Sequence, residues 1–148
     1  MALDWTSIAT DAEIKEFMNL FGYFHDSCIK EIHYRTGTFV RKDLSMTMLN
    51  EAVVRVLFQR QWENPSVIEV ELGNLIKLHV KPVDKEYSTD IYEATFIKMG
   101  DVFYWADKDD WTESNRDDYD FATWISARRV RWRRREDLIG EELFYLRD

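Results

Sequence analysis

The chain has 148 residues, of which 45% are hydrophobic and 15% aromatic, and it carries a formal net charge of -8. A chain of this length and apolar content forms a packed core, so we expect a single α+β domain over residues 1–148 and exclude a disordered segment. The acidic balance argues against a nucleic-acid binder, because Lys and Arg in excess hold nucleic-acid phosphates, and it favours a basic protein partner.

The sequence also lacks the signals of a membrane or secreted protein. No apolar run approaches the roughly 20 residues that a membrane-spanning helix needs, and residues 1–11 lack the basic start and apolar stretch of a signal peptide. We therefore expect a cytoplasmic protein that does not contact a membrane. The single cysteine, Cys28, excludes an internal disulfide and a multi-cysteine zinc site. We expect neither a metal ion nor a cofactor.

The first predicted element is a helix. Thr10 and Glu13 have the spacing of a capping box, which predicts that the helix begins there. The apolar residues that follow recur at helical spacing and predict one buried stripe. Gly22 stands where a left-handed residue commonly ends a helix. The stripe consists of Ile14, Phe17, Met18 and Phe21.

From residue 25 onward the period of the apolar residues changes toward two, which predicts strands with one buried and one exposed face. Gly73-Asn74 and Gly100-Asp101 each separate two such runs and predict two-residue hairpin turns. The residues from Asp137 to Leu146 are expected to form a short C-terminal helix. The expected strands are 29–34, 54–58, 68–72, 76–80, 91–99, 102–106 and about 123–134.

A helix followed by consecutive hairpins predicts an α+β fold in which the N-terminal helix packs on a mainly antiparallel meander sheet. The sheet is expected to be curved, folded into a sandwich or closed into a partial barrel, and the sequence leaves these three alternatives open. Exposed strand edges would allow the chain to pair into a homodimer.

An arginine-rich segment is the most unusual feature, with six arginines in residues 128–135 of an acidic chain. If the segment is extended, alternate arginines project from one face at roughly 6.6 to 6.8 Å intervals, and Trp124, Val130 and Trp132 share the other face. The favoured interpretation is that carboxylates on neighbouring strands, such as Glu69 and Glu71, neutralise this arginine ladder. The alternative is an anion or phosphate site, because the guanidinium fork matches such groups. The ladder consists of Arg129, Arg131, Arg133 and Arg135.

His25-Asp26-Ser27 has the residue types of a catalytic triad, but adjacent side chains in an extended segment point to opposite faces and cannot form a triad among themselves. The favoured interpretation is structural, with Asp26 and Ser27 bonding nearby backbone amides where the helix gives way to a strand. The alternative gives His25 a catalytic or metal-binding role together with a carboxylate from a later acidic segment. The carboxylates considered are Asp107, Asp109 and Asp110.

The segment 21–27, with the sequence FGYFHDS, leads into the predicted strand 29–34. It resembles the opening of a group of small bacterial proteins of unknown function that share an FHDS turn after a helix. Some small acidic proteins with a similar opening look like immunity proteins of bacterial toxin systems. The resemblance implies a bacterial cytoplasmic inhibitor that binds a toxin rather than a catalyst.

Glycine loops that cradle phosphates, nucleotide-binding fingerprints, nucleophile elbows and zinc-ligand spacings are missing from the sequence, which disfavours the common enzyme classes. Together with the acidic charge and the many aromatic residues, this predicts a non-enzymatic protein-interaction or binding module. The competing hypothesis is a small-anion or phosphate-binding protein, or an enzyme, that uses the arginine ladder and His25.

Overall fold

The computed structural model describes residues 4–49, 51–115 and 120–145. The main element of the fold is a curled, antiparallel sheet of eight strands that forms a half-barrel, and the helix α1 (Asp11–Leu20) packs against it. In chain order the strands are β1 (Thr6–Ile8), β2 (Ser27–Arg35), β3 (Phe39–Val40), β4 (Met46–Thr47), β5 (Val53–Arg60), β6 (Val67–His79), β7 (Asp90–Ile91), β8 (Thr95–Met99), β9 (Val102–Ala106) and β10 (Trp124–Arg134).

The order of strands across the sheet is β7-β2-β5-β6-β10-β9-β8, and β1 pairs with β10 beside this path. The pairings seen in the described residues are antiparallel, as expected. The order is not that of a simple meander, because β10 comes last in the chain and lies between β6 and β9. No helix in the described part of the chain is long and apolar enough to cross a membrane.

The capping box at the start of α1 is confirmed. The Thr10 side chain accepts from the Glu13 N–H at 3.1 Å, and the Glu13 carboxylate accepts from the Thr10 N–H at 3.1 Å. The predicted stripe is buried, and its Phe17 ring packs edge-on against Phe24 and Phe96. The cavity enclosed by the core side chains is about 10 Å³, which is too small for a ligand. The half-barrel therefore encloses a packed core.

Gly73-Asn74 does not form the predicted hairpin turn. Both residues lie inside β6, which runs without interruption from Val67 to His79. Asn74 has a left-handed φ of 48°, so the irregular backbone bends the strand instead of ending it. The pairing of β6 with β5 ends at Gly73, one more backbone hydrogen bond of 3.0 Å joins the Leu75 N–H to the Ala52 carbonyl, and β6 then continues along β10. The other predicted turn, Gly100-Asp101, does join the adjacent antiparallel strands β8 and β9.

The predicted C-terminal helix over Asp137 to Leu146 is reduced to one 3-10 turn, Glu136–Leu138. Residues 139–145 cross the outside of the sheet as irregular chain, and Leu146 lies outside the described residues. Gly140 has a φ of 102°, which no α-helix contains, and Ile139 and Leu143 are more than half exposed. The apolar residues at helical spacing therefore do not form a buried stripe.

The sequence predicted that Trp124 shares one face of the strand with Val130 and Trp132, but Trp124 lies in a different cluster. Val130 and Trp132 belong to the main core beneath α1. Trp124 belongs to a second cluster on the opposite side of β9 and β10, where it packs against Trp111 at 4.9 Å between ring centroids. The register of β10 against β6 shifts at residues 126 and 127, so simple alternation fails across this point.

The strands β3 and β4 form a hairpin arm over residues 36–49 that is a sheet of its own. Leu44 at its tip has a left-handed φ of 75° and is 84% exposed. The other large apolar side chains of the arm are also about half exposed or more. Exposed apolar surface of this extent is uncommon on a protein that acts alone. These side chains are Phe39, Val40, Met46, Met48 and Leu49.

Candidate functional site

The arginine ladder is largely neutralised within the chain. Arg131 and Arg133 lie directly opposite Glu71 and Glu69 on β6. Their Nε atoms donate to these two carboxylates at 2.8 and 2.7 Å. The predicted cross-strand neutralisation is confirmed for this pair of arginines.

The two ends of the ladder differ. Arg135 shares the carboxylate of Glu69 at 3.4 Å. Arg129 lies opposite Gly73, which offers no side chain, and its Nη2 donates weakly to the Asn74 side-chain oxygen at 3.5 Å. Among the described residues, Arg129 is thus the member of the ladder without a carboxylate partner.

The centre of the ladder is covered from outside. Glu69 is fully buried, and its second oxygen accepts from the Tyr145 hydroxyl at 3.1 Å. The Trp5 ring lies 4.3 Å from the guanidinium carbons of both Arg131 and Arg133. Stacking of this kind favours the charged planar group and shields it from water. The middle of the ladder is therefore occupied by the protein itself.

Glu71 stays charged in this network. Burial raises the pKa of its carboxyl, but the hydrogen bond from Arg131 and the charges of Arg131 and Arg55 outweigh burial and hold the pKa below its ordinary value. Arg55 contributes a second Nε hydrogen bond of 2.9 Å to the same carboxylate. Two guanidinium groups are thus bound to one carboxylate.

The turn after α1 has a strained backbone. Tyr23, Phe24 and Asp26 have left-handed φ angles of 55°, 65° and 59°, a conformation that costs energy for residues with a Cβ. Two hydrogen bonds fix the position of Asp26 between neighbouring segments: its N–H donates to Ile91 O at 3.0 Å, and its carbonyl accepts from the Gln61 N–H at 3.1 Å. The strained turn is therefore anchored on both sides.

Gly22 opens this turn with a φ of 59°, as its predicted position at the helix end requires. A Cβ at Gly22 would lie 3.0 Å from Nη1 of Arg60, whose side chain is only 4% exposed. The Arg60 guanidinium lies 4.6 Å from the Phe21 ring, and burial lowers its pKa. Its Nε and Nη2 have no hydrogen-bond partner among the described residues. A poorly solvated cation thus lies beneath the turn.

His25 and Ser27 have separate roles, so the three residues do not form a triad. The Ser27 hydroxyl is buried and donates to the carbonyl of Phe24 at 2.5 Å, rather than bonding an amide as predicted. His25 is exposed, and its Nδ1 donates to the Tyr92 carbonyl at 2.7 Å. The Tyr92 ring packs edge-on against the imidazole at 5.3 Å. Asp26 lies 3.5 Å from the imidazole Nε2.

The loop after β9 brings acidic side chains to the same end of the sheet. The Thr95 hydroxyl donates to Lys108 O at 2.6 Å and accepts from the Trp111 N–H at 3.1 Å, which fixes the loop on both sides of Asp109 and Asp110. Trp111 is buried and anchors the loop further. The exposed carboxylates of Asp109 and Asp110 therefore lie at the tip of a fixed loop.

The Glu93 side chain contacts this acidic loop at Asp109. A side-chain hydrogen bond with Asp109 and the negative charges of Asp109 and Asp110 raise the pKa of Glu93, while the nearby His25 opposes the shift. Neighbouring negative charges repel each other. A positively charged group bound beside these carboxylates would reduce the repulsion.

We call this surface the acidic end. It borders a groove of about 620 Å³ between α1 and β8, whose apolar wall includes Ile14, Met18 and Phe96. The groove is lined by two basic residues, Lys15 and Lys98, and by four acidic ones. The acidic residues are Asp11, Glu93, Asp109 and Asp110. The acidic end consists of His25, Asp26, Trp62, Tyr92, Glu93, Asp109 and Asp110.

Tyr92 and Trp62 are the exposed aromatic residues of the acidic end. Tyr92 is 77% exposed and Trp62 is 87% exposed. Trp62 has a left-handed φ of 67° in the loop that joins β5 to β6 and follows Gln61, the residue bonded to Asp26. Neither ring is buried in the fold, so neither gains hydrophobic free energy there, which is typical of side chains that contact a partner.

Asp107 belongs to a different set of contacts from His25. Its carboxylate accepts from the Thr123 N–H at 3.0 Å and from the Tyr87 hydroxyl. Burial raises the pKa of Asp107 above its ordinary value, although both hydrogen bonds act in the opposite direction. Asp107 therefore ties the start of β10 to the end of β9.

The Asp107→Asn variant tests this assignment. A group with a raised folded-state pKa contributes most to stability below its ordinary pKa, here 3.8, and that contribution is lost as the pH rises through the raised value. We expect the variant to be at least as stable as the original chain at neutral pH and relatively less stable in acid. Chemical denaturation across this pH range measures the difference. A variant that is less stable at neutral pH would show that the charge itself is needed.

Only part of the acidic end was predicted from the sequence. Of the predicted residues, His25, Asp26, Asp109 and Asp110 lie around one surface, whereas Asp107 has other partners. Glu93, Tyr92 and Trp62 were not predicted. Each lies in a short loop without a motif, and only the pairing of β2 with both β5 and β7 brings their loops together.

The fold and the site define an α+β protein with a curled antiparallel sheet, a packed interior and a fixed acidic surface at one end. Within the described residues, no group of three or more His, Cys, Asp or Glu side chains is arranged to hold a metal ion. Comparison of the chain with protein-family models, with curated proteins and with solved structures finds no match in any of the three.

Proposed function

We propose that this protein is a non-enzymatic interaction module that binds a basic segment of a partner protein at the acidic end. The observation that carries the proposal is the placement of the crowded carboxylates of Glu93, Asp109 and Asp110 beside two exposed aromatic rings and an apolar-walled groove. Carboxylates recognise Lys and Arg by charge, and aromatic faces add cation–π attraction. An amphipathic basic segment matches both features.

The electrostatics of the whole chain support the same partner. A net charge of -8 attracts a basic protein from a distance and raises its rate of association. The exposed apolar hairpin arm is a further feature typical of proteins that bind other proteins. A toxin partner, which the resemblance of segment 21–27 implies, is a special case of this proposal.

The rigidity of the acidic end also favours binding. Thr95 holds the acidic loop, and the hydrogen bonds of Asp26 hold the strained turn, so little backbone freedom remains to be lost when a partner binds. Preorganisation of this kind increases affinity because the cost of ordering has been met during folding.

The test uses three synthetic peptides of equal length with leucine at the same positions. At the other positions the basic peptide carries lysine and arginine, the neutral peptide carries uncharged polar residues, and the acidic peptide carries glutamate. We expect isothermal titration calorimetry to show binding of the basic peptide alone, with weaker binding as salt increases. The double variant Glu93→Gln/Asp109→Asn should weaken this binding about tenfold, since it removes two exposed charge pairs. Tyr92→Ala should weaken it several-fold.

The matched control is Glu16→Gln/Glu51→Gln, which removes the same two charges from positions outside the acidic end. We expect this variant to bind the basic peptide within about twofold of the original chain, because net charge alone acts weakly at physiological salt. Equal weakening by both double variants would show that the peptide responds to net charge and not to this surface. Binding of the glutamate peptide would overturn the proposal.

A further inference from the structure

The structure contains a second groove whose charge is opposite to that of the acidic end. It arises where β10 changes partner along one edge: β9 pairs with residues 124–127, and β1 pairs with residues 130–132. Arg128 and Arg129 lie between these two pairings. A groove of about 650 Å³ opens at this split and reaches Ser7 on β1 and Phe103 on β9.

The groove carries an excess of positive charge. Arg128, Arg129, Arg131 and Lys98 line it together with two carboxylates, those of Glu71 and Asp101. Four cationic side chains and two anionic ones leave a local charge of +2 in a chain whose net charge is -8.

The two carboxylates do not satisfy the cationic groups. Glu71 is already bound by Arg131 and also by Arg55 outside the groove. Asp101 has a side chain that is 82% exposed and lies 3.5 Å from Nε of Arg128, so solvent screens this pair strongly. The guanidinium groups of Arg128 and Arg129 therefore keep most of their donors for another acceptor.

The neighbours fix the groove in shape. The Lys98 Nζ donates to the Ala9 carbonyl at 2.8 Å and lies 5.5 Å from the centre of the Phe103 ring. Ser7 is directly opposite Arg131 in the ladder between β1 and β10, and it is exposed. A hydroxyl, an ammonium group and two incompletely paired guanidinium groups thus surround one space.

We propose that this split-strand groove binds a phosphate group, with Arg129 as its main ligand and with Arg128, Lys98 and Ser7 as supporting donors. A phosphate has acceptor oxygens in the spacing of the guanidinium fork and a charge that offsets the local excess. The inference is independent of the basic partner, because the split-strand groove contains no residue of the acidic end and shares only Lys98 with the groove that borders it. It also narrows the predicted anion site from the four arginines of the ladder to Arg129, the member without a carboxylate partner among the described residues.

The long-range field of the chain opposes an anion, but its reach is short at physiological salt. The Debye length is then about 8 Å, so the nearest charges decide the interaction. Binding is expected to be weak for inorganic phosphate and tighter for a phosphate monoester that also contacts the groove wall.

The test titrates inorganic phosphate, and separately phosphoserine, into the intact protein at constant ionic strength and follows backbone amide signals by NMR. We expect saturable shifts at Ser7, Arg128 and Arg129 that chloride does not produce. Arg129→Gln should weaken binding at least about tenfold, while Lys85→Gln, which removes one exposed positive charge elsewhere, should leave it unchanged. Because Arg129 is exposed, we expect Arg129→Gln to keep the melting temperature of the original chain.

Two results would overturn the inference. If neither inorganic phosphate nor phosphoserine acts differently from chloride, the shifts are an ionic-strength effect only, and undiminished binding to Arg129→Gln would place the ligand elsewhere. Saturable binding of either probe supports the inference, and the tighter probe identifies free phosphate or a phosphate monoester as the source. Lys98→Gln provides a second variant, for which we expect a smaller weakening of the same signals.

Discussion

Phe17→Ala is expected to destabilise the protein by about 3–5 kcal/mol, the range for deleting a buried Phe. Phe17 is 3% exposed and touches aromatic rings on three sides. Its ring packs against Phe24 from the strained turn, Phe96 from β8 and Trp132 from β10, with centroids 5.2–5.9 Å apart. Because this ring joins α1 to the sheet, its removal leaves a cavity that the surrounding strands cannot close.

Chemical denaturation measures the loss, and Phe39→Ala provides a control with the same chemical change. Phe39 lies on the hairpin arm and is 52% exposed, so we expect its truncation to cost below about 1 kcal/mol. A loss below about 0.5 kcal/mol for Phe17→Ala would contradict the placement of α1 over the core. Equal losses for the two variants would show that the arm is buried in solution.

The elements that were predicted correctly depend on local patterns. The capping box of Thr10 and Glu13 and the stripe that contains Phe17 lie within three helical turns, so the sequence alone contains the whole signal. The pairing of Arg131 and Arg133 with Glu71 and Glu69 was also predicted, because strict alternation places each set of side chains on one face. Local periodicity was sufficient in both cases.

The features that were missed depend on tertiary pairing. Gly73-Asn74 has turn residues, yet β6 continues through it because β10 supplies hydrogen bonds beyond the point where β5 ends. The apolar spacing after Asp137 suggested a helix, but this segment is held to the outer face instead. There the Glu31 carboxylate accepts from the Phe144 and Tyr145 N–H groups at 2.7 and 2.9 Å.

The candidate site shows the same limit. His25 and Asp26 drew attention because they lie in a recognisable turn, but Glu93 and Trp62 have no local signal. Two strands, β6 and β7, lie between Trp62 and Glu93 in the sequence. Only the order of strands in the sheet brings their loops to the same end. A pattern in one sequence does not report such an order.

Glu69→Gln is expected to cost about 3–5 kcal/mol, the range for removing one partner of a buried ion pair. Glu69 is fully buried between Arg133 and Arg135, whose side chains are each 15% exposed. The amide keeps the shape of the side chain but removes the charge that both guanidinium groups face. Arg135 keeps its two hydrogen bonds to the Asp137 carboxylate, both at 3.0 Å, so the loss comes mainly from Arg133, which is left poorly solvated and without a carboxylate partner among the described residues.

Two further variants separate this mechanism from a loss of packing. Glu71→Gln changes the same residue type one pair along the ladder, where the side chains of Arg55 and Arg131 are 33% and 41% exposed, so we expect a loss of only about 1 kcal/mol. Glu69→Gln/Arg133→Met removes the stranded charge of Arg133 and should recover part of the stability lost in Glu69→Gln. Denaturation curves of Glu69→Gln, Arg133→Met and the double variant give the coupling energy between the two residues. If the double variant is less stable than Glu69→Gln alone, the network stabilises the sheet by packing and not by charge compensation.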